Sequence, residues 1–221
     1  MKIGIVIPVV SDKYITALLD CIADNTVLPH SVLILDNSGK HIPPVPLVPL
    51  SRKAVEMVLT DPPLGVNASW NYGIKVMLER EMDLISIFND DIEIERFFFE
   101  KLISAAERYK KAGAFCPYTT RHRDALKTPS SIMDAKCYEM AKREGWAFTL
   151  RASVAKRIPQ IPEKLRTFCG DDWLMIHSKK LGHPWYRMVN NLCFHHVGGT
   201  VRNSGLRGDL EGEKRTMNSL L

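Results

Sequence analysis

Residues 85–94, Ile-Ser-Ile-Phe-Asn-Asp-Asp-Ile-Glu-Ile, run from an apolar stretch directly into two adjacent carboxylates, Asp90 and Asp91. The apolar part reads as a buried strand, and the carboxylates stand where that strand ends. Two ionised side chains at the carboxyl end of a strand repel each other unless they meet water, a basic group or a metal ion, and in open α/β sheets this edge is where ligands bind. Hard cations such as Mg²⁺ and Mn²⁺ take oxygen ligands, and Mg²⁺ is typically held by one or two carboxylates together with substrate phosphates. The same residues also fit an acidic turn that merely faces solvent.

Toward the amino terminus, Ile3-Gly4-Ile5-Val6-Ile7-Pro8-Val9-Val10 is a continuous, largely β-branched run of the kind a strand buried on both faces requires. Ser11 or Asp12 can cap the helix that follows, in which Ile15, Leu18, Leu19 and Ile22 fall on one face. A second strand is predicted from Ser31 to Leu35, and Asp36-Asn37-Ser38-Gly39 closes it with residues that favour turns. Together these pieces make a βαβ unit whose polar turn lies at the same carboxyl edge. The proline-rich stretch from Ile42 to Pro49 cannot donate the bonds of a central strand and reads as a covering loop. Val55 to Leu59 reads as a third strand and Asn67 to Met82 as a helix, with Gly73 inside it for close packing or ligand approach.

Beyond the acidic turn, Arg96 to Lys111 has helical spacing and Ala112 to Cys116 resumes the sheet. Trp146 to Arg151 reads as a strand, Gln160 to Thr167 as loop, Asp172 to Leu181 as a helix stopped by Gly182, and Asn191 to Phe194 as a late strand that delivers His195 and His196. The whole reads as an α/β chain with a Rossmann-like, mostly parallel sheet flanked by helices.

With 221 residues, of which 45% are hydrophobic, the chain can close one sizeable core. No apolar stretch approaches the roughly 20 residues of a membrane span, so a cytoplasmic protein is expected. Five cysteines, Cys21, Cys116, Cys137, Cys169 and Cys193, form no close pair and fit reduced thiols. Cys193, His195 and His196 are too tightly bunched, without a fourth ligand, for a structural zinc site. A net charge of +5 suits a protein that handles anions but does not identify nucleic acid.

In order and spacing, IGIVIPV from residue 3, LDNSG at 35–39, GVNASWNYGI at 65–74, IFNDDIEI at 87–94, and CGDDWL with the later FHHVGGT resemble the family-two inverting glycosyltransferases of the GT-A fold, notably the rhamnosyltransferase-like branch. The resemblance implies a single GT-A (nucleotide-diphospho-sugar transferase) domain over 1–221. Its nucleotide-binding half would span about 1–94, its acceptor and catalytic half about 95–200, and its tail 201–221. It further implies a metal-dependent transfer, with inversion, of a sugar from a nucleotide-sugar donor to a hydroxyl of a glycan, lipid or protein. The alternatives are the same chemistry on a hydroxylated base in DNA, or a degenerate module that binds nucleotide sugar or glycan without turnover.

Carried over by position, Pro8 and Val9 would lie under the nucleotide base, Asp36 would hold base or ribose, and Asn71 would stand near the donor's ribose or sugar. Asn37 departs from the acidic pair many members carry, and Trp70 reads as core. Asn89-Asp90-Asp91 resembles the DXD motif with asparagine first, which implies Asp91 as ligand to Mn²⁺ or Mg²⁺, Asp90 facing the ribose or the ion, and Glu93 as a candidate compensating ligand. Asp172 would be the catalytic base and Asp171 its acidic partner, although either can equally cap the helix that follows. His195 and His196 would reach the ion or the diphosphate, with His196 favoured, and Arg202 and Arg207 would close over the diphosphate.

Overall fold

The structure is a computed structural model that describes residues 1–39, 54–131, 133–141, 145–196 and 209–221. The proline-rich stretch, the Gly-Gly loop after His196, and Arg202 and Arg207 lie outside the described residues.

In chain order the elements are β1 (Ile3–Val9), α1 (Asp12–Ala23), β2 (Ser31–Asp36), β3 (Val55–Leu59), α2 (Val66–Glu79), β4 (Leu84–Phe88), β5 (Ile92–Ile94) and α3 (Phe98–Arg108). Then follow β6 (Ala114–Thr120), a 3₁₀ turn (Arg123–Lys127), β7 (Cys137–Glu139), β8 (Ala147–Arg151), α4 (Ala152–Ala155), α5 (Gly170–Lys180), β9 (Trp185–His195) and α6 (Leu210–Leu220). Among the described residues the nine strands join one sheet in the order β3-β2-β1-β4-β8-β6-β9-β5, with β7 also on β9. The strands β3, β2, β1 and β4 pair in parallel. β8 runs antiparallel between β4 and β6, and β9 is again parallel to β6. Because two reversals cancel, β6 and β9 point the same way as β4. The ends of β1, β2, β4, β6 and β9, and the start of β8, therefore share one edge of the sheet.

Two cores line the two faces. Ile3, Ile5, Ile7 and Val9 of β1 meet Ile15, Leu18 and Ile22 of α1 and Phe98, Phe99 and Leu102 of α3. On the other face Val6, Leu33 and Leu35 meet Trp70, Ile74 and Met77 of α2 and Trp173 and Leu174 of α5. This is the period-two alternation of a strand covered on both sides. Gly73 is where α2 crosses β1, and a Cβ there would run into the Val6 side chain. Among the described residues no helix is long and apolar enough to cross a membrane.

Element boundaries differ from expectation where tertiary contacts extend them. β9 starts at Trp185 because β6, β7 and β5 give it partners along its length. The expected tail also changes character: its last part is the helix α6, capped by Asp209, whose carboxylate accepts from Gly212 N at 2.8 Å.

Candidate active site

At the shared edge lies a cleft of about 1010 Å³. Its walls include Pro8 within β1 and Val10 just after it, Asn37 and Ser38 after β2, Asn89 and Asp90 after β4, and Trp146 before β8. Opposite them stand Arg166 to Cys169, with Asp171 and Asp172 from the first turn of α5. Three of the carboxylates singled out from sequence thus converge on one cavity from distant parts of the chain.

The β1 side follows from strand alternation. Pro8 faces the cleft, whereas the Val9 side chain is fully buried in the core beneath α1 and α3. Val9 shapes the wall through its carbonyl, which accepts from Asn37 N at 2.7 Å. Asp36 is also buried, and its Oδ1 accepts from Ser38 N at 2.8 Å, fixing the turn that puts Asn37 and Ser38 at the cleft. The Asn37 amide is held on both sides: Nδ2 donates to Ser69 Oγ (3.0 Å), while Oδ1 accepts from Thr60 Oγ1 (2.8 Å) and Leu64 N (2.9 Å). An aspartate could not make the first of these bonds while charged, so asparagine here has a structural reason.

Asn71 does not line this cleft. Its Nδ2 donates to Ile161 O (2.8 Å) and its Oδ1 accepts from Ile161 N (3.0 Å), clasping the loop before α5. It borders instead a smaller cavity of about 390 Å³ with mainly aliphatic walls, including Ile74, Leu78, Leu150 and Ile158.

Behind the Asn89-Asp90 corner, Asp91 Oδ1 and His195 Nε2 stand 3.3 Å apart, because β5 pairs with β9 so that Ile92 faces His195. His195 stacks on Trp146 with ring centres 4.8 Å apart, and the Trp146 indole N–H donates to Thr119 Oγ1 at 2.9 Å. His196, favoured from sequence, turns elsewhere: its Nε2 lies 2.8 Å from Glu93 Oε1 and its ring stacks on Tyr14 at 4.6 Å. His195 ends β9 and His196 follows it, so the two adjacent side chains are directed to different partners. Glu93 is likewise not a spare ligand, because its other oxygen accepts from Arg123 Nε at 2.8 Å. That bond raises the Arg123 guanidinium above its ordinary value. Cys21, nearby, has its thiol pushed up to about 11 by burial and so stays protonated.

Among the described residues no group of three or more His, Cys, Asp or Glu side chains is arranged to hold a metal ion. The pair Asp91 and His195 still fits a hard divalent ion that keeps water and takes phosphate oxygens for its remaining positions. The Asp91 carboxylate suits Mn²⁺ or Mg²⁺, with the His195 imidazole as a nitrogen donor beside it.

The acidic helix does not begin as expected. Asp171 and Asp172 lie within the first turn of α5, and the cap is Cys169, whose φ of 60° is left-handed and whose side chain makes no cap bond. Gly170 is required here, because a Cβ would collide with the Asn67 side chain. Asn67 in turn donates from Nδ2 to Leu165 O (2.9 Å) and Phe168 O (2.8 Å). From the other side Glu213 of α6 accepts from Thr167 N (3.2 Å) and Phe168 N (2.8 Å). Sequence reasoning missed Glu213, although Leu210, Glu213 and Met217 share a helical face that could have revealed it.

Solved structures share this architecture. The 1–349 fragment of S. aureus TarS in complex with UDP superposes with a TM-score of 0.64 at 16% identity, over 88% of this chain and 60% of that one. The same fragment with UDP-GlcNAc gives 0.63 at 15%, over 92% and 61%. GalNAc-T7 with UDP, GalNAc and Mn²⁺ gives 0.66 at 8%, over 88% and 43%. The chain therefore has the GT-A glycosyltransferase fold and spans about half the length of these neighbours. No family model and no curated protein matches it by sequence.

Proposed function

We propose that this chain is a metal-dependent, inverting glycosyltransferase that moves a sugar from a nucleotide diphosphate donor to a hydroxyl acceptor. One observation carries the reading: Asp90, Asp171 and Asp172 line a single cleft at the carboxyl edge of the sheet, with Asp91 and His195 paired immediately behind it. The fold neighbours include structures with UDP, UDP-GlcNAc and Mn²⁺, which agrees in kind with a nucleotide-sugar donor.

In this reading the nucleoside lies along Pro8, Val10, Asn37 and Ser38, with Asp36 holding the turn and Asp90 facing the ribose. Asp91 and His195 would hold a divalent ion, which would supply charge neutralisation for the diphosphate. Asp172 is the base. The positive end of the α5 dipole favours its ionised form, which must accept the acceptor's proton. As that proton moves to Asp172, the acceptor oxygen bonds to the anomeric carbon, and the bond to the diphosphate breaks with its electron pair leaving on phosphate oxygen. The configuration inverts because attack and departure lie on opposite faces. Asp171 shares the cleft and orients the acceptor.

The test is incubation with Mn²⁺ and a panel of nucleotide sugars, with and without glycan, lipid and hydroxylated-DNA acceptors. Release of nucleoside diphosphate that disappears in Asp91→Asn is the expected result. Tight nucleotide binding with no release under any acceptor would overturn it in favour of a binding module.

A further inference from the structure

The first turn of α5 holds two of the three cleft carboxylates, and its cap residue makes no side-chain cap bond. Cys169, at the cap, adopts a left-handed backbone conformation that a non-glycine residue keeps only where its surroundings hold it there. The residues just before it are gripped from two sides. Asn67 takes their carbonyls, at Leu165 and Phe168, and Glu213 takes their amides, at Thr167 and Phe168. Glu213 is 9% exposed, in a helix whose Met217 is buried in the α2–α5 core and whose Leu210 lines the cleft. A carboxylate accepting two backbone N–H bonds makes a charge-assisted clamp stronger than a neutral one.

We propose that Glu213 is a positioning residue for the reaction: by binding the Thr167 and Phe168 amides it orients the turn that aims Asp171 and Asp172 into the cleft, making the C-terminal helix part of the catalytic apparatus. The role rests on the transferase reading above. It concerns the side of the cleft formed by Asp171 and Asp172, since Glu213 bonds Thr167 and Phe168 on that wall.

Four proteins decide it: the full chain, Glu213→Ala, Glu213→Gln, and Glu211→Gln as an exposed control on the same helix. Amide hydrogen exchange is read at residues 165–173, alongside kcat, KM for acceptor and UDP affinity. In Glu213→Ala, exchange at Thr167 and Phe168 should rise, and kcat should fall on the order of 10- to 100-fold, as slight misplacement of reacting groups produces. UDP affinity should stay within about twofold, because the nucleoside and diphosphate contacts lie elsewhere. Glu213→Gln, which keeps an acceptor oxygen, should recover part of kcat, and Glu211→Gln should match the unaltered chain. Equal losses of UDP affinity and kcat, or unchanged exchange and kcat in Glu213→Ala, would overturn the proposal. Should the unaltered chain turn over no donor, the transferase reading fails by itself, while the exchange data still show whether Glu213 orders the α5 turn; unchanged exchange then sinks this inference too.

Discussion

At the scale of single residues, the division of labour among the carboxylates makes separable predictions. Asp172→Asn removes the proposed proton acceptor and leaves side-chain size nearly unchanged. It should lower kcat by about 10²- to 10⁴-fold with little change in UDP affinity, measured by steady-state kinetics and calorimetry. Asp91→Asn acts on the ion instead. Mn²⁺ binding in the presence of UDP, followed by titration calorimetry, should weaken at least as much as loss of an outer-shell partner would weaken it, about 10- to 100-fold or more, and His195→Ala should do the same. His196→Ala should spare Mn²⁺ affinity, because that ring is committed to Glu93 and Tyr14. A Mn²⁺ loss in His196→Ala equal to that in His195→Ala would reverse the assignment. The two histidines are adjacent in sequence and chemically identical, so only the partners their rings meet separate them.

Between elements, the site depends on where β5 and β9 meet, and a buried ion pair guards that register. Lys101 Nζ donates to Glu95 Oε1 at 2.7 Å and to Asn190 O at 2.8 Å, while Glu95 also accepts from Leu192 N at 3.0 Å. Both side chains are fully buried. Lys101→Met strands a carboxylate and should cost about 3–5 kcal/mol in urea unfolding. Burial already raises the Glu95 carboxyl above its ordinary 4.5, with the Lys101 bond opposing. A folded-state value above the unfolded one means stability is lost as pH rises, so the Lys101→Met deficit should be larger at pH 8 than at pH 5. Adding Glu95→Gln should recover part of the loss and flatten that slope. On the opposite side of the sheet, Gly73→Ala sets better helix propensity, about 1 kcal/mol, against overpacking of Val6, about 1–3 kcal/mol. The clash is with a β1 side chain in the core, so a net loss of up to about 2 kcal/mol is expected.

For the molecule as a whole, ligand binding and folding are linked, since the cleft is built from segments as far apart as Pro8 and Leu210. UDP with Mn²⁺ at 100 times its dissociation constant should add about 2.7 kcal/mol, and a thermal scan should show Tm rising by about 5–10 °C. The rise should vanish in Asp91→Asn when Mn²⁺ is required for binding. A salt-sensitive gel shift with duplex DNA would direct attention to a polyanionic acceptor, because phosphate contacts release counterions. Much of this architecture was legible in the chain: the β-branched runs, the capped helix after Ser11 and the acidic corner after β4 are local patterns, written in spacing and side-chain chemistry. Such patterns point to Asp90 and Asp91 because a strand end is a local event, whereas Asp171 and Asp172 stand out by resemblance to the glycosyltransferase family. Register is not local. Which histidine meets Asp91, why Asn71 clasps Ile161 instead of a ligand, why Asn37 must be an amide, and why Glu213 reaches back to Thr167 are settled by hydrogen bonds between residues brought together only when the two faces of the sheet close. These partners lie from 23 to 90 or more positions apart, as for Thr60 with Asn37 and Asn71 with Ile161. Hydrophobic periodicity specifies which side of an element is buried, but it carries no information about which distant polar atom waits there.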